Sequence, residues 1–267
     1  MLFEFAPSEI QLQPPLKWAG GKRWLVPHLH PIWAKHRGRR FVEPFCGGLA
    51  VALGLNPRRA VLNDINVHVV NFYRWLQRGL TIEIPMKNEA QVYYAHRDAF
   101  NNLITHGQEQ TRRAAELFYY LNRTGYNGLC RVNRRGEYNV PFGRHKSLRY
   151  NHDLVQYQPV LNQWDFSYAD FAQLQLEPGD FVYADPPYDV EFVNYSKGGF
   201  HWDDQVRLAQ WLAQHPGPVL ISNQATERIV TLYRSLNFDL RYFEAPRRIS
   251  SDGNRKPARE VLATRNL

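Results

Sequence analysis

The chain has 267 residues, of which 44% are hydrophobic, and this is enough to build a full α/β core. Its formal net charge of +8 favours a polyanionic partner such as nucleic acid. Cys46 and Cys130 form no Cys-x-x-Cys motif, which argues against a disulfide framework or a zinc site and fits a reducing cytosol. No run approaches the roughly 18 apolar residues of a membrane span, and the N-terminal segment does not resemble a signal peptide. We therefore expect a cytoplasmic protein that binds neither membrane nor metal.

The predicted elements begin with a strand at residues 40–43, a turn that contains Gly47, and a helix at 49–55. A second strand, at 60–64, ends at Asp64, about 20 residues after Glu43. In nucleotide-binding α/β folds the turn glycines let the backbone approach the ligand, and the later acidic residue accepts bonds from ribose hydroxyls. The pattern predicts a nucleotide-type site at the carboxyl end of the second strand, although the glycines alone are equally typical of an ordinary turn.

Residues 67–154 follow a different pattern, which we interpret as an insert in the sheet. Helices are predicted at 67–78, 89–104 and 108–122, and a basic segment at 123–149 then carries seven cations against Glu137 alone. Within it, residues 130–133 and 137–140 flank Arg134-Arg135-Gly136, a turn sequence that predicts a β-hairpin. A hairpin with arginines, asparagines and apolar tips suits the DNA major groove, and a solvated basic face is the alternative.

Strands resume at 163–166, 181–184 and 218–222, with a helix at 203–214, and the most informative motif ends the middle strand. There the chain reads Asp185-Pro186-Pro187-Tyr188, and the two prolines stop the strand ladder. The Asp185 carboxylate and nearby carbonyls remain as acceptors that suit an uncharged NH₂ group, and Tyr188 offers a ring for stacking. The motif predicts a binding corner for an exocyclic amine; a strand that ends in a proline turn is the alternative.

The order of the motifs resembles one family. Residues 17–22 (Lys-Trp-Ala-Gly-Gly-Lys) come first, followed by 41–48, by Asn63-Asp64-Ile-Asn66, by the block 121–144, by Asp185–Tyr188 and by 220–223. This order resembles the Dam-type DNA adenine-N6 methyltransferases, class D12 or the alpha group, over residues 14–262. The most specific part is 122–144, which is similar to the enterobacterial GATC enzymes.

The resemblance implies S-adenosylmethionine as the cofactor, S-adenosylhomocysteine as its product, and no metal. Lys22 would lie near the cofactor's carboxylate, and Asp64 would hold the ribose. The resemblance assigns the following residues to the cofactor: Trp18, Lys22, Glu43, Phe45, Gly47, Asp64, Asp165, Phe166 and Asp185, with Asp165 and Phe166 at the adenine. A surface lysine and a core aromatic remain the alternatives for Lys22 and Phe166. Leu49 stands where relatives often carry a further glycine, which leaves open how closely the turn meets the cofactor.

On the DNA side, the resemblance casts Arg131 as a guanine reader and Lys17 as a contact to the outer guanine. Tyr126 and Asn127 would act where the target base leaves the duplex, and Arg144 would contact phosphate. The implied DNA-binding set is Lys17, Tyr126, Asn127, Leu129, Arg131, Asn133, Pro141 and Arg144, with Leu129 and Pro141 against a thymine methyl. The basic residues 247–256 form either a loop on DNA or an ordinary surface loop.

The fold expected from this resemblance is α/β: a Rossmann-like methyltransferase sheet with an inserted helical, hairpin-bearing target-recognition domain. The catalytic domain would comprise 1–66, with the cofactor motifs, and 155–267, with the Asp-Pro-Pro-Tyr motif, and the insert would be 67–154. The expected activity is methyl transfer from S-adenosylmethionine to adenine N6 of duplex DNA, within 5′-GATC-3′, by base flipping and direct in-line transfer, with Asp185, Pro186 and Tyr188 as catalytic residues.

Several alternatives stay open. The chain could methylate adenine in another sequence, as restriction–modification enzymes do, or it could be a DNA-binding relative without activity. Cytosine-N4 or RNA methylation is a further possibility, against which Asp rather than Ser before Pro-Pro-Tyr argues. We expect a monomer, or a dimer on DNA, in the bacterial cytosol or nucleoid or as a phage protein in its host.

Overall fold

The computed structural model describes residues 12–189, 199–245 and 258–267, and a seven-stranded sheet runs through this part of the chain. Its order is β3-β2-β1-β4-β5-β7-β6, in which β1 to β5 are parallel and β7 runs antiparallel to both of its neighbours. The strands are β1 (Phe41–Glu43), β2 (Ala60–Asn63), β3 (Trp164–Ser167), β4 (Phe181–Ala184), β5 (Val219–Gln224), β6 (Asp239–Ala245) and β7 (Ala258–Arg265).

Eight α-helices accompany the strands among the described residues. Caps fix several starts: the Asn66 side chain accepts a bond from His68 N, and the Thr111 side chain accepts one from Ala114 N. The helices are α1 (Val26–Ala34), α2 (Ala50–Leu55), α3 (Val67–Gln77), α4 (Ala90–Thr105), α5 (Arg112–Thr124), α6 (Gln158–Leu161), α7 (Trp202–Ala213) and α8 (Glu227–Ser235).

Side chains alternate between two cores on opposite faces of the sheet, because successive strand residues point to opposite sides. Phe181 and Tyr183 belong to the core that includes residues of α1 to α5, whereas Val182 and Ala184 belong to the core that includes residues of α7 and α8. Apolar residues therefore fill both faces of β4, which explains why the central strand reads as a continuous apolar run.

The predicted insert region contains α3, α4, α5 and the predicted hairpin. Helix α3 packs against both α5 and β3, and Gln77 at its end donates bonds to Leu161 O and Trp164 O, each 2.8 Å long. Antiparallel bridges join Val132 to Tyr138 and Gly125 to Phe142, so the predicted hairpin is confirmed, as isolated bridges rather than as long strands. Helix α3 thus connects the sheet to the helices that carry the hairpin.

The predicted α/β class is confirmed, and the predicted strand at 181–184 coincides with β4. Other predicted boundaries differ by one to four residues. Strands β6 and β7 and helices α1, α6 and α8 were not predicted. The predicted basic loop at 247–256 lies outside the described residues. Within the described part of the chain, no helix is long and apolar enough to cross a membrane.

Candidate active site and DNA interface

Acidic residues from three parallel strands meet at the carboxyl edge of the sheet. Glu43 ends β1, while Asp64 and Asp185 directly follow β2 and β4. Strand order reverses between β1 and β4, and in open α/β sheets ligands bind outside the carboxyl ends at such a switch point. The topology therefore places these three carboxylates where a ligand-binding crevice is expected.

Asp185 lies in a cluster of polar groups that we call the acceptor corner: Lys22, Asp185, Tyr188 and Glu260. The Asp185 carboxylate accepts a bond from Ser222 Oγ at 2.8 Å and pairs with Lys22 Nζ at 3.0 Å. Lys22 is only 2% exposed, and its ammonium ion also donates to Tyr188 Oη at 2.6 Å and to a backbone carbonyl at 3.0 Å. The bond to Ser222 and the ion pair with the buried Lys22 together fix the orientation of the Asp185 carboxylate.

Glu260 completes the corner from β7, a position that the sequence did not indicate. It accepts the Tyr188 hydroxyl bond, and its Oε2 lies 3.8 Å from Lys22 Nζ. Burial, Asp185 and Glu260 together raise the pKa of Tyr188, so its hydroxyl stays protonated and donates. Lys22 Nζ also lies 4.6 Å from the centroid of the Tyr188 ring. The Tyr188 ring is thus fixed by hydrogen bonds at its hydroxyl group and by the Lys22 ammonium group near its face.

The proline turn itself is anchored from two sides. Pro186 is buried, and the Pro187 carbonyl accepts a 2.8 Å bond from Gln205 Nε2 of α7. Asp189, two residues further on, pairs with the guanidinium group of Arg228 through both carboxylate oxygens. These contacts fix the backbone on which the Asp185 and Tyr188 side chains stand.

The glycine turn and Asp64 form the second half of the crevice. Asp64 accepts bonds from Gly47 N and Asn66 N, each 2.9 Å long, and the Tyr73 hydroxyl donates to Gly47 O at 2.6 Å. Burial raises the pKa of Asp64 to about 6 against the opposing effect of those two bonds. A Cβ at Gly47 would lie 2.5 Å from Trp18 Nε1, so the indole packs directly on the turn and only glycine fits there.

Glu43 has unused hydrogen-bonding capacity. It is 3% exposed, and its Oε2 has no hydrogen-bond partner among the described residues. Burial and the neighbouring Asp185 carboxylate raise its pKa well above the usual range. Beside it, Phe45 packs against Phe171 and Phe200, with ring centroids 5.7 and 5.5 Å away. Buried carboxyl groups with spare acceptor sites suit a ligand rich in donors, such as one with an ammonium group and ribose hydroxyls.

Asp165 and Phe166 are neighbours on β3 whose side chains point to opposite sides of the sheet, so Phe166 packs on Tyr73 inside the core while Asp165 is exposed. Two exposed apolar side chains that the sequence did not single out follow the carboxyl ends of neighbouring strands. Ile65 follows Asp64 and is 64% exposed; Tyr168 follows β3, the neighbouring strand, and is 49% exposed.

The tip of the hairpin is a tight turn built by Asn133. Its Oδ1 accepts bonds from Arg135 N at 2.9 Å and from Glu137 N at 3.1 Å, and its Nδ2 donates to Glu137 Oε2 at 2.7 Å. Gly136 supplies the left-handed conformation, with φ of 82°. Asn133, predicted to bind DNA, therefore uses its side chain to shape the turn.

At the base of the hairpin, three predicted DNA contacts come together. Tyr126 N donates to Pro141 O at 2.9 Å, and Leu129 N donates to Tyr126 O at 3.1 Å. Tyr126 is 48% exposed and Pro141 is also exposed. Across from them, Arg131 is exposed and donates to Asn139 Oδ1 at 2.8 Å and to Asn139 O at 3.2 Å. We call residues 126–144 the reading segment.

The remaining predicted contacts differ in exposure. Lys17 is half-buried: its ammonium group donates to Arg123 O at 2.9 Å, and Asn122 fixes its backbone with two 2.8 Å bonds. Burial and Arg123 lower the pKa of Lys17 to about 8. Arg144 is exposed, and its φ of 48°, like that of Asn127 at 53°, lies in the left-handed region.

The reading segment is joined to the cofactor side of the crevice. Asn66 Nδ2 donates to Cys130 Sγ at 3.1 Å, and Asn66 N donates to the Asp64 carboxylate. Cys130 is a free thiol, as is Cys46. No group of three or more potential metal-ligating side chains occurs in the described ranges.

A mostly parallel seven-stranded sheet of this order, with its acidic groups at the switch point, defines a Rossmann-like methyltransferase fold. Comparisons with known proteins specify the class further. The family model for D12 class N6 adenine-specific DNA methyltransferases matches residues 18–249. The DNA adenine methylase of Escherichia coli K12 is 37% identical over 93% of each chain.

Two further relatives agree. The retron Ec67 DNA adenine methylase of Escherichia coli is 35% identical over 93% of this chain and 90% of its own. The type II methyltransferase M1.LlaDCHI of Lactococcus lactis subsp. cremoris is 33% identical over 86% of this chain and 87% of its own. The chain belongs to the D12 class of N6 adenine-specific DNA methyltransferases, and it is an adenine-specific DNA methyltransferase whose substrate is DNA.

Proposed function

We propose that this protein methylates adenine N6 within 5′-GATC-3′ of duplex DNA, with S-adenosylmethionine as the methyl donor. The observation that carries the proposal is the acceptor corner at the switch point, where Ser222 and Lys22 hold the Asp185 carboxylate beside Tyr188. The similarity of the chain to DNA adenine methylases supports the target base. The motif block at residues 122–144 supports the target sequence.

The crevice fits the cofactor by its donor and acceptor groups. We assign the ribose hydroxyls to Asp64 and the amino group to Glu43, because both are buried carboxyl groups with acceptor capacity left over. Ile65 and Tyr168 then offer apolar surface to the adenine. The cofactor, when bound, supplies an electrophilic methyl group. The predicted contact between its carboxylate and Lys22 stays a prediction, since the ammonium ion of Lys22 already has three close acceptors in the protein.

The chain's own residues account for the activation of the target amine. Asp185 accepts one N–H of adenine N6, and the Pro186 carbonyl accepts the other, since neither proline offers a competing backbone donor. The amine lone pair is then drawn out of conjugation with the ring. Tyr188 stacks on the base with the ring face away from Lys22. The amine itself is the nucleophile in a direct in-line transfer, so the two buried or half-buried cysteines have no part in it.

The target base must leave the duplex to reach the acceptor corner, and this flipping costs a few kcal/mol.

We propose residues 67–154 as the recognition insert and 1–66 with 155–267 as the catalytic domain. In the insert, Arg131 reads a guanine, Leu129 and Pro141 contact a thymine methyl, and Tyr126 and Asn127 act at the gap that the base leaves. Lys17 and Arg144 contact the outer guanine and the phosphate backbone. We propose that the protein acts as a monomer in the bacterial cytosol.

A second candidate is adenine methylation in another short sequence, in partnership with a restriction enzyme. The similarity to a type II methyltransferase from Lactococcus lactis favours it. The two candidates share the chemistry of the acceptor corner and differ only in the bases that the reading segment contacts.

Mapping of N6-methyladenine in a methylation-deficient bacterial host tests the proposal. DNA from cells that express the protein should contain N6-methyladenine at GATC sites on both strands. Cells expressing Asp185→Ala should carry none, whereas Asp239→Ala, an exposed aspartate on β6, should match the unmodified protein. Methyl groups at a different motif would favour the second candidate, and an unmethylated genome with a folded, abundant protein would refute both.

A further inference from the structure

A cavity of about 710 Å³ opens at the amino edge of the sheet, on the side away from the active site. Its lining comes from the segments that precede three parallel strands: Arg37 before β1, Arg58 before β2 and Gln163 before β3. Leu53 and Val160 add an apolar wall. We call this cavity the amino-edge groove. Because the amino ends of parallel strands share one edge, it lies a full strand length, about 10–13 Å, from the carboxyl edge that carries Asp64 and Asp185.

The groove is basic. Within residues 12–189, 199–245 and 258–267, its lining contains two arginines and His30 but no carboxylate. The two acidic residues that precede β4 are engaged elsewhere, because Arg40 pairs with Glu177 at 3.0 Å and with Asp180 at 2.7 Å.

The cations around the groove have no such partners. Among the described residues, no carboxylate oxygen lies within 4.0 Å of a cationic nitrogen of Lys35, Arg37, Arg39, Arg58 or Arg59. Arg37 and Arg58 are both exposed. Such a concentration of unpaired charge repels itself in the free protein, and a polyanion relieves that repulsion.

The reading segment and the groove belong to opposite edges of the sheet. The reading segment is joined to the carboxyl edge through the Asn66–Cys130 bond, whereas the groove belongs to the opposite edge. DNA is stiff over about 150 base pairs, so a short duplex seated on the reading segment would have to bend round the whole sheet to reach Arg37 and Arg58. A separate duplex segment meets the groove without that distortion.

We propose that the amino-edge groove binds the phosphate backbone of a second duplex DNA segment while the first occupies the active site. The protein can then bridge two segments and transfer between them without entering free solution. The proposal rests on the DNA-methylating function proposed above. It assigns a role to the basic residues at 35–39 and 58–59, which the methylation chemistry does not use.

The test compares two charge-reversal variants with the same change in net charge. Arg37→Glu/Arg58→Glu removes the groove cations, and Arg234→Glu/Arg241→Glu, exposed on α8 and β6, is the matched control. Each protein is mixed at low salt with excess short duplex of about 20 base pairs that contains one GATC. Native mass spectrometry should give two duplexes per protein for the unmodified chain and the control, but one for the groove variant.

A kinetic measurement completes the test. Release of a labelled duplex should accelerate as unlabelled competitor is added to the unmodified protein, and should not depend on competitor in the groove variant. The slope of log affinity for the second duplex against log salt should fall by about 0.9 for each phosphate that the protein no longer neutralises. Single-turnover methylation of the short duplex should be equal in all three proteins, which separates this proposal from the proposed function.

Three results would overturn the proposal. The first is one duplex per unmodified protein at every DNA concentration. The second is two duplexes on the groove variant. The third is a groove variant that methylates the short duplex several-fold more slowly than the control, because the groove would then touch the same segment as the active site. If none of the proteins methylates DNA while the unmodified protein and the control bind two duplexes and the groove variant binds one, the proposed function fails and the groove is still supported as a DNA-binding site.

Discussion

The acceptor corner and the reading segment hold their charges in opposite ways. In the corner, the ammonium ion of Lys22 is 2% exposed and bonds to Asp185 and Tyr188, with Glu260 close by. In the reading segment, Arg131 and Arg144 are exposed, and the Arg131 guanidinium group donates to Asn139. One region uses its charges to fix its own geometry, and the other offers them to a partner.

This difference follows from what each region must do. A carboxylate in a fixed orientation acts on a substrate group without reorganising, which is how preorganised sites stabilise developing charge. Exposed cations that bind phosphates displace the counterions of the DNA, so the affinity for DNA depends on the salt concentration. Chemistry and DNA recognition should therefore respond to separate mutations.

The largest expected effect comes from Asp185. Asp185→Ala should reduce methylation by at least about a thousandfold, because it removes the acceptor for the target amine. Asp185→Asn keeps the volume of the side chain and should fail similarly, since its oxygen would stay with Ser222 and Lys22 and its NH₂ group would then face the amine's N–H. Both variants should bind duplex DNA like the unmodified protein in a filter-binding assay. Loss of DNA binding together with catalysis, in a variant with an unchanged circular dichroism spectrum, would contradict the separation.

Two glycines, one in the crevice that contains the acceptor corner and one in the reading segment, should also respond differently to substitution. Gly47→Ala places a Cβ 2.5 Å from Trp18 Nε1 at a residue whose φ is 42°. The free energy of cofactor binding, measured by calorimetry, should therefore become less favourable by more than about 2 kcal/mol. At Gly136 an added Cβ would have no atom within 4 Å, but φ is 82°. Gly136→Ala should therefore lower the free energy of unfolding by about 1–2 kcal/mol through strain in the turn and leave cofactor binding unchanged. Equal effects of both substitutions on cofactor affinity would show that the glycine turn is not part of the cofactor site.

Arg131 tests base reading. If its guanidinium group pairs with guanine, Arg131→Ala should cost about 1–3 kcal/mol on GATC and relax preference at one base pair only. Methylation rates on GATC and its single-base variants measure both quantities. A uniform slowing on every sequence, with the preference profile unchanged, would remove Arg131 from the reading role.

Asp64 should make cofactor binding depend on pH. Its pKa is about 6 in the free protein, and ribose hydroxyls bond best to the ionised form, so binding lowers that pKa. Affinity is then constant above pH 6 and falls as the pH drops through 6, by up to about tenfold per pH unit. Asp64→Asn should bind the cofactor more weakly, and its calorimetric profile should lack this decline. The same decline in Asp64→Asn would assign the titration to another group.

The smallest effect belongs to Arg144. As an exposed phosphate contact, it should weaken binding to all duplexes alike when replaced by alanine, and should lower the slope of log affinity against log salt by about 0.9. Arg234→Ala, an exposed arginine on α8, is the control and should leave the slope unchanged. A change of sequence preference in Arg144→Ala would move this residue from the backbone to the bases.

Local patterns predicted much of this fold because the relevant signals lie close together in the chain. Strand β4 was predicted at its observed bounds, since an apolar run ends at two prolines. The hairpin followed from a turn sequence with Gly136 at the position that needs a positive φ. The carboxyl-edge positions of Asp64 and Asp185 followed from strand endings.

Long-range contacts could not be predicted in this way. Glu260 reaches Lys22 only because β7 runs antiparallel between β5 and β6, and nothing near either residue in sequence signals that pairing. The amino-edge groove likewise combines residues from three separate segments. The opposite orientations of the Asp165 and Phe166 side chains follow from strand alternation, and their assignment to the cofactor's adenine stays a prediction.

Transfer of labelled methyl groups to duplexes that contain GATC or one of its single-base variants tests both the adenine chemistry and the sequence reading proposed for this protein. We predict N6-methyladenine as the only product, with each substituted base pair costing about 1–3 kcal/mol, or roughly 5- to 150-fold in rate. Equal rates on all duplexes would contradict sequence reading by the hairpin. Methyl groups found on cytosine, or transferred to RNA in preference to DNA, would contradict the role given to the acceptor corner.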